Sequence, residues 1–496
     1  MSNWPLKTPL SILQSNPGHE GFSLPQLDVP EAPAPKLAER GRKLGLPELS
    51  ELDVVRHFTR LSQLNFSIDG GMYPLGSCTM KYNPRVNEQT SSFRGFARLH
   101  PLTPDKYAQG ALELMFHLEN LLSEISGFAR VSLQPAAGAQ GEYLGIKMMR
   151  ACLEARGEKR TKILIPESAH GTNGASAAMC GYSVLPVRTN SVGLVDFAQV
   201  EELTRAGDVA GIMITNPNTV GLFESEILKI TRLIHERGGL IYADGANMNA
   251  MLGVTRPGDA GIDCMHFNMH KTFTTPHGGG GPGCGGLGVS KTLIPFLPVP
   301  TVERNPTGSD DFVLDSGRPQ SVGKVKDHYG HFLMMVRAYT YIRELGAEGI
   351  QKAGRDAILL ANYIRVRLKP HYDIAYDRTC MHEVVFTDKR QNKNGIKTLD
   401  IAKRLIDEGF HPPTIYFPLI VQGALMIEPT ETESLRSVEK FCETMIRVAE
   451  EAKEENAFEK HFKDRPRHVA FGRVNETLAA KQLKLTWKDL DTPGSL

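Results

Sequence analysis

Five short apolar runs in the middle of the chain restrict its fold more than any other feature. They are KILIP (162–166), SVLPV (183–187), GIMIT (211–215), GLIYAD (239–244) and CMHFNMH (264–270). Each has the length of a buried parallel strand. Segments with helical periodicity lie between several of them, such as 227–237. Ahead of them, 109–126 carries Leu112, Met115, Phe116, Leu118, Leu122 and Ile125, and 142–156 carries Leu144, Met148 and Cys152 at helical spacing. Alternation of this kind predicts an α/β layered domain with a mostly parallel sheet and right-handed crossovers.

Outside this region the pattern changes. Residues 1–50 are Pro-rich and broken by turn residues (NPG, VPEAPAPK), which predicts an extended N-terminal arm. A large domain is expected over 51–330, opening with a helix at 53–66 and the loop GGMYPLGSCTMKYNP. A smaller α+β domain is expected over 331–465, with helices at 332–345, 349–368, 399–408 and 433–452. Its strands are expected at DIAY, HEVVFT, IYFPLI and ALMIEP. Residues 466–496 are basic and weakly periodic, and read as a C-terminal tail.

Composition removes several classes of function. Lys and Arg number 57 against 56 Asp and Glu, a net charge of +1, so no nucleic-acid-binding face is expected. No apolar run approaches the roughly 18 residues of a membrane span. The start, MSNWPLKTPL, lacks the basic-then-apolar pattern of a signal peptide. The seven Cys are scattered, the nearest pair, Cys264 and Cys284, being 20 residues apart, so there is no CxxC motif. A reducing, cytoplasmic setting is the expectation. Gly is in excess at 47 residues, and such an excess marks places where the backbone comes close to something.

Four segments carry candidate chemistry. In HFNMHKTFTTPHGGGGPGCGG (266–286), Lys271 lies just past an apolar strand. A lysine is exposed by default, but one held in such a place can form a Schiff base. The run HGGGG resembles an esterase oxyanion turn, yet the chain has no GxSxG. A formal GxGxxG at 281–286 contains Pro282 and lacks a following helix, and there is no P-loop. His266 and His270 have a metal-ligand spacing only on a helix, and no third ligand is evident, so no metal is expected.

In LQPAAGAQGEY (133–143), small residues lead into a helix, which suits either an anion cradle or a tight turn. In IYADGANMNA (241–250), Asp244 ends an apolar strand, as a turn residue or as the partner of a cationic group. In PESAHGTNGASAAMCGY (166–182), His170 follows a strand, as a loop residue or stacked on a flat ring. Taken together, the four form the set that holds pyridoxal phosphate: an imine-forming Lys, a carboxylate for the ring nitrogen, a stacking imidazole and a helix start for the phosphate.

The sequence resembles the P-protein family of the glycine cleavage system, glycine dehydrogenase (decarboxylating). Within it, the sequence is most similar to the C-terminal-half subunit, subunit 2, of the two-subunit bacterial form. The carrying strings are YPLGSCTMKYNP (73–84), QPAAGAQGE (134–142), SAHGTN (168–173), TNPNTVGLFE (215–224), DGANMNA (244–250), RPGD (256–259), HKTFTTPHGGGGPG (270–283) and EPTETES (428–434).

That resemblance implies a fold-type I pyridoxal-phosphate enzyme. It implies that Lys271 carries the internal aldimine, Asp244 pairs with the pyridinium nitrogen, and His170 and Ala246 flank the ring. Gly138, Ala139 and Gln140 would hold the phosphate through the backbone at the helix start, with Asn268 and His270 within reach of it. Asn216 or Thr219 would contact the ring hydroxyl, and Tyr73 and the glycines near Gly278 would wall the pocket. Gln140 stands where relatives carry His, so its backbone or its side chain would serve.

The implied reaction is decarboxylation of glycine through an external aldimine, with transfer of the aminomethyl group to the lipoyl arm of the H-protein. The implied assembly is an α2β2 heterotetramer with P-protein subunit 1. Three rivals stand beside this reading. They are another fold-type I enzyme such as an aminotransferase or amino-acid decarboxylase, a non-catalytic scaffold subunit, and a dinucleotide-binding oxidoreductase.

Overall fold

The computed structural model describes residues 8–33, 41, 44–278, 283–469, 472–483 and 485–486. Parts of the expected arm and tail, and the glycine string 279–282, lie outside the described residues. A seven-stranded sheet forms the larger layer. Its strands are β1 (Arg130–Ser132), β2 (Lys162–Pro166), β3 (Ser183–Val187), β4 (Val209–Thr215), β5 (Leu240–Asp244), β6 (Cys264–Asn268) and β7 (Gly285–Val289). The spatial order is β1-β7-β6-β5-β4-β2-β3. Strands β2 to β6 run parallel where they pair, and β7 is antiparallel to both β6 and β1.

All five apolar runs are strands of this sheet. Successive side chains leave a strand on opposite faces, and each face has its own core. Leu164, Ile212, Ile214, Ile241 and Ala243 face one cluster with the helices Gln109–Ser126 and Ile227–Glu236. Ile163, Ile165, Met213, Leu240 and Tyr242 face the other, with Leu144, Met148 and Cys152 of the helix Gly138–Ala155. Burial on both faces is why these strands read as continuous apolar runs. Because β2 to β6 are parallel, their C-terminal ends share one edge, where open α/β sheets bind ligands.

A hairpin follows, β8 (Thr301–Arg304) with β9 (Phe312–Asp315). The smaller sheet is antiparallel, in the order β10 (Asp373–Ile374), β11 (Val384–Thr387), β13 (Ala424–Ile427) and β12 (Thr414–Ile415). Its core packs against the helices Thr398–Asp407 and Leu435–Glu451 and the second half of Phe332–Leu368. That long helix breaks at Gly346 (φ 62°, ψ −174°), so the two helices expected there meet at one glycine kink. The early segment 73–79 belongs with this smaller sheet, because Leu75 pairs with Ile427 and the Glu428 N–H donates to the Pro74 carbonyl at 3.3 Å.

Four strands were not expected: β1, β7 and the hairpin strands β8 and β9. Strand β7 is GGLGV, which reads as part of a Gly-rich loop. Its glycines are steric necessities: a Cβ on Gly285 would lie 2.6 Å from the Ala137 carbonyl oxygen, and one on Gly288 would lie 2.4 Å from Phe128. The three-residue β1 has no periodicity to read. The run CMHFNMH is a strand only to Asn268, and Met269–Thr272 is one helical turn, so Lys271 stands on that turn. No helix among the described residues is long and apolar enough to cross a membrane.

Candidate active site

A cavity of about 410 Å³ opens at the C-terminal edge of the parallel strands. Its lining includes Lys271, Asp244, His170, Ala246, Gly138, Ala139, Thr219, Asn268 and His270. Nine of the eleven expected site residues therefore face one space. A second cavity of about 410 Å³ lies between Leu112, Met115 and residues 328–334. None of the candidate residues lines it.

The helix Gly138–Ala155 starts at the mouth of the cavity, and its first backbone N–H groups lack helical partners. A Cβ on Gly138 would lie 1.8 Å from Asn268 Oδ1 and 2.9 Å from His266 Nε2, so only glycine fits this approach. Asn268 Oδ1 is buried and has no hydrogen-bond partner, as has Thr215 Oγ1 at the end of β4. A small-residue cradle at a helix start, beside unpaired buried polar atoms, suits a phosphorylated ligand.

Asp244 ends β5 and is 4% exposed. Its Oδ1 accepts the Ala246 N–H at 2.9 Å, and its Oδ2 accepts from Asn173 Nδ2 at 3.3 Å. His266 Nε2 lies 3.5 Å from Oδ1, and burial holds the His266 pKa below its usual range. Asp244 therefore meets no strong cation among these partners. A protonated heterocyclic nitrogen supplies the charge that a buried carboxylate needs.

Lys271 Nζ donates to the Ser77 carbonyl at 2.7 Å. Beside it, burial and the neighbouring His277 push the His270 pKa down to about 4. The neutral His270 ring donates from Nδ1 to the Cys284 carbonyl at 3.1 Å, and its ring meets His277 edge-on at 5.0 Å. His170 caps the helix Gly171–Met179: its Nδ1 accepts the Thr172 N–H at 3.2 Å, which leaves the proton on Nε2. Phe417 meets its ring edge-on at 5.8 Å.

Gln140 and Asn216 are not among the lining residues. The Gln140 side chain accepts the Ala136 N–H at 2.7 Å and donates to the Val325 carbonyl at 2.6 Å, so it braces the turn that leads into the cradle. Asn216 Oδ1 accepts the Glu224 N–H at 2.9 Å. Thr219 lines the cavity, and its hydroxyl donates to the Ser168 carbonyl. Tyr73, expected as a wall, instead stacks on His411 at 3.9 Å and is not among the lining residues.

Sequence reasoning missed Glu142, Thr172 and the loop Gly76, Ser77 and Cys78, which also line the cavity. Glu142 Oε2 accepts from Thr172 Oγ1 at 3.0 Å, and its Oε1 is buried without a partner. Burial, aided by the Asp244 charge, pushes the Glu142 pKa up to about 7. A carboxylate inside a small-residue cradle was the available signal.

Comparison with known proteins agrees with this geometry. The family described as "Glycine cleavage system P-protein" matches residues 37–411, and "Glycine dehydrogenase, C-terminal domain" matches 353–470. A protein of Caldanaerobacter subterraneus subsp. tengcongensis is 51% identical over 95% of this chain and 97% of its own length. One of Chlorobium chlorochromatii is 51% identical over 97% of this chain and 99% of its own. Both bear the name "Probable glycine dehydrogenase (decarboxylating) subunit 2".

Among solved structures, an inhibitor-bound glycine decarboxylase (P-protein) superposes with TM-score 0.68 at 18% identity, covering 85% of this chain and 91% of that one. A cysteine desulfurase of Thermococcus onnurineus superposes with TM-score 0.58 at 15% identity, covering 77% and 95%. These structural likenesses establish the fold, that of fold-type I pyridoxal-phosphate enzymes, and the sequence matches establish the family. The chain belongs to the glycine cleavage system P-protein family.

Proposed function

We propose that this chain decarboxylates glycine with pyridoxal phosphate and passes the aminomethyl group to an oxidised lipoyl arm on a carrier protein, the H-protein. One observation carries the site assignment. Lys271 and Asp244, just past and at the ends of the neighbouring strands β6 and β5, face one cavity opposite the helix start at Gly138.

When bound, pyridoxal phosphate supplies an aldehyde that captures amines and a protonated ring that takes up the electron pair left behind as carbon dioxide departs. The remaining roles belong to the chain. Lys271 would hold the aldehyde carbon. Its hydrogen bond to the Ser77 carbonyl fixes Nζ at one place, from which it would meet that carbon. Asp244 would keep the ring nitrogen protonated. The Ala246 and Asn173 bonds aim its two oxygens and leave lone pairs free for that proton. The N–H groups of Gly138 and Ala139 would take the phosphate, and His170 and Ala246 would bracket the ring. The neutral His270 ring donates its Nδ1 proton to the Cys284 carbonyl.

The relatives are named as a second subunit, and this chain spans 97% and 99% of their lengths. A companion chain follows from that name, and we read it as P-protein subunit 1 in an α2β2 assembly. Phe22, Leu24 and Leu27 of the arm, and Val55 and Phe58 of the helix Glu51–Gln63, are exposed apolar side chains that support such a contact.

Borohydride reduction of the pyridoxal-phosphate-loaded chain, followed by peptide mapping, tests the site. A single pyridoxyl adduct on Lys271, lost in Lys271→Ala, is the expected result. An adduct on another lysine would refute the assignment.

A further inference from the structure

Two carboxylates and an imidazole lie buried beside the cavity with no role in the chemistry above. His382, Glu383 and Glu428 are each no more than 1% exposed, and they place three donor atoms within 4.8 Å of one another. His382 and Glu383 immediately precede β11, and Glu428 immediately follows β13, its pairing partner. A cluster this deep is costly, so something must be gained from it.

Its hydrogen bonds show what it holds. Glu383 Oε2 accepts the Ser77 N–H at 2.9 Å. Glu428 Oε2 accepts the Thr79 N–H at 3.0 Å, and Glu428 Oε1 accepts the Thr79 hydroxyl at 2.5 Å. Ser77 (φ 63°) and Thr79 (φ 44°) both sit in the left-handed region, which non-glycine residues rarely adopt. Such conformations persist only where the surroundings over-determine them. Gly76, just ahead, is pressed on β13, where a Cβ would lie 2.6 Å from the Met426 carbonyl oxygen. The Gly76 carbonyl accepts from Thr414 Oγ1 at 2.7 Å. The loop is therefore fixed to the smaller sheet from one side. From the other, Lys271 Nζ donates to the Ser77 carbonyl and His277 Nε2 donates to the Cys78 carbonyl at 3.1 Å.

We propose that Glu383 and Glu428 are positioning residues for Lys271: by clamping the Ser77 and Thr79 N–H groups, they aim the Ser77 carbonyl at Nζ. The loop links the smaller sheet at one end to the amine at the other. Burial and the Glu428 charge push the Glu383 pKa well above the carboxylate range, so an amide copies the form it takes. This proposal rests on the reading of Lys271 as the imine-forming residue.

The test uses the full-length chain. The rate at which Lys271 captures pyridoxal phosphate is read by timed borohydride reduction and peptide mapping, with thermal unfolding run alongside. Glu383→Ala and Glu428→Ala are expected to slow capture by about tenfold or more, since a misplaced group of this kind costs up to about a hundredfold. Glu383→Gln and Glu428→Gln retain an acceptor and are expected to recover capture to within about threefold, which a purely electrostatic role would not allow. Folded alanine variants that capture at the wild-type rate would overturn the proposal, as would glutamine variants as slow as the alanine ones.

Amide exchange of the wild-type chain covers the case in which the alanine variants do not fold. Slow exchange at Ser77 and Thr79 is expected, and fast exchange at both would overturn the clamp. A wild-type chain with no adduct on Lys271 would instead strike the underlying assignment, which separates the two failures.

Discussion

Lys81 Nζ lies 2.5 Å from Glu431 Oε1, in an ion pair whose side chains are 1% and 8% exposed. The same ammonium donates to Asn249 Oδ1 at 2.8 Å and to the carbonyl of Thr272, next to Lys271, at 3.0 Å. One buried cation thus joins the early loop, the segment after β5, the turn that carries Lys271 and the strand end beyond β13. Burial works against its charge, but Glu431 and Tyr341 outweigh that and leave the Lys81 pKa raised.

Removing one member of this pair leaves the other as an unpaired buried charge. Lys81→Met is expected to cost about 3–5 kcal/mol of stability. The double variant Lys81→Met/Glu431→Leu is expected to recover most of that loss. Denaturant unfolding of the three proteins checks both figures.

Glu142 makes the chain lose stability as pH rises. Its pKa is about 7 in the folded chain against 4.5 as the ordinary value, so the folded state holds the proton longer. Below about pH 4.5 both states are protonated and Glu142 contributes nothing. Between about pH 4.5 and about pH 7 the unfolded chain ionises first, and folding is progressively disfavoured by roughly 3 kcal/mol. Glu142→Gln is expected to flatten this dependence and to be the more stable protein above pH 7. Urea unfolding without cofactor, at the two ends of the window, measures it.

Gly138→Ala places a methyl group 1.8 Å from Asn268 Oδ1, at the cradle itself. Asn268 must swing away or the helix start must shift. Affinity for pyridoxal phosphate, measured by equilibrium dialysis, is expected to fall by about tenfold or more, a loss of roughly 1.4 kcal/mol. Thermal stability is expected to change much less than this affinity.

Asp244→Asn keeps the size of the side chain and removes its charge. The chain is expected to fold and to retain reducible cofactor on Lys271, while turnover of glycine falls by about a hundredfold or more. Steady-state rates on variant and wild type, with adduct yield as the control, test this.

The parallel strands were legible because burial on both faces leaves an unbroken apolar run, as in Ile212, Met213 and Ile214. Lys271, Asp244, His170 and Gly138 were legible because each stands where a strand or a small-residue segment gives way to a helix. Strand β7 was hidden because its glycines answer to Ala137 and Phe128, which are remote in sequence. The clamp was hidden for the same reason: Glu383 reaches Ser77 across 306 residues and Glu428 reaches Thr79 across 349. Gln140 reads as a phosphate contact through its backbone, and its amide side chain, turned back to Ala136 and Val325, leaves that contact to the backbone alone. Local pattern marks where chemistry starts, while the residues that hold it in place come from distant chain.

Carboxyl-labelled glycine, given to this chain together with its companion subunit, pyridoxal phosphate and a lipoylated carrier, tests the proposed decarboxylation most directly. Labelled carbon dioxide is predicted, with the aminomethyl group recovered on the lipoyl arm in equal amount and both lost in Lys271→Ala. Retention of the label in a two-carbon keto acid would rule out decarboxylation and mark the chain as a transaminating enzyme of the same fold.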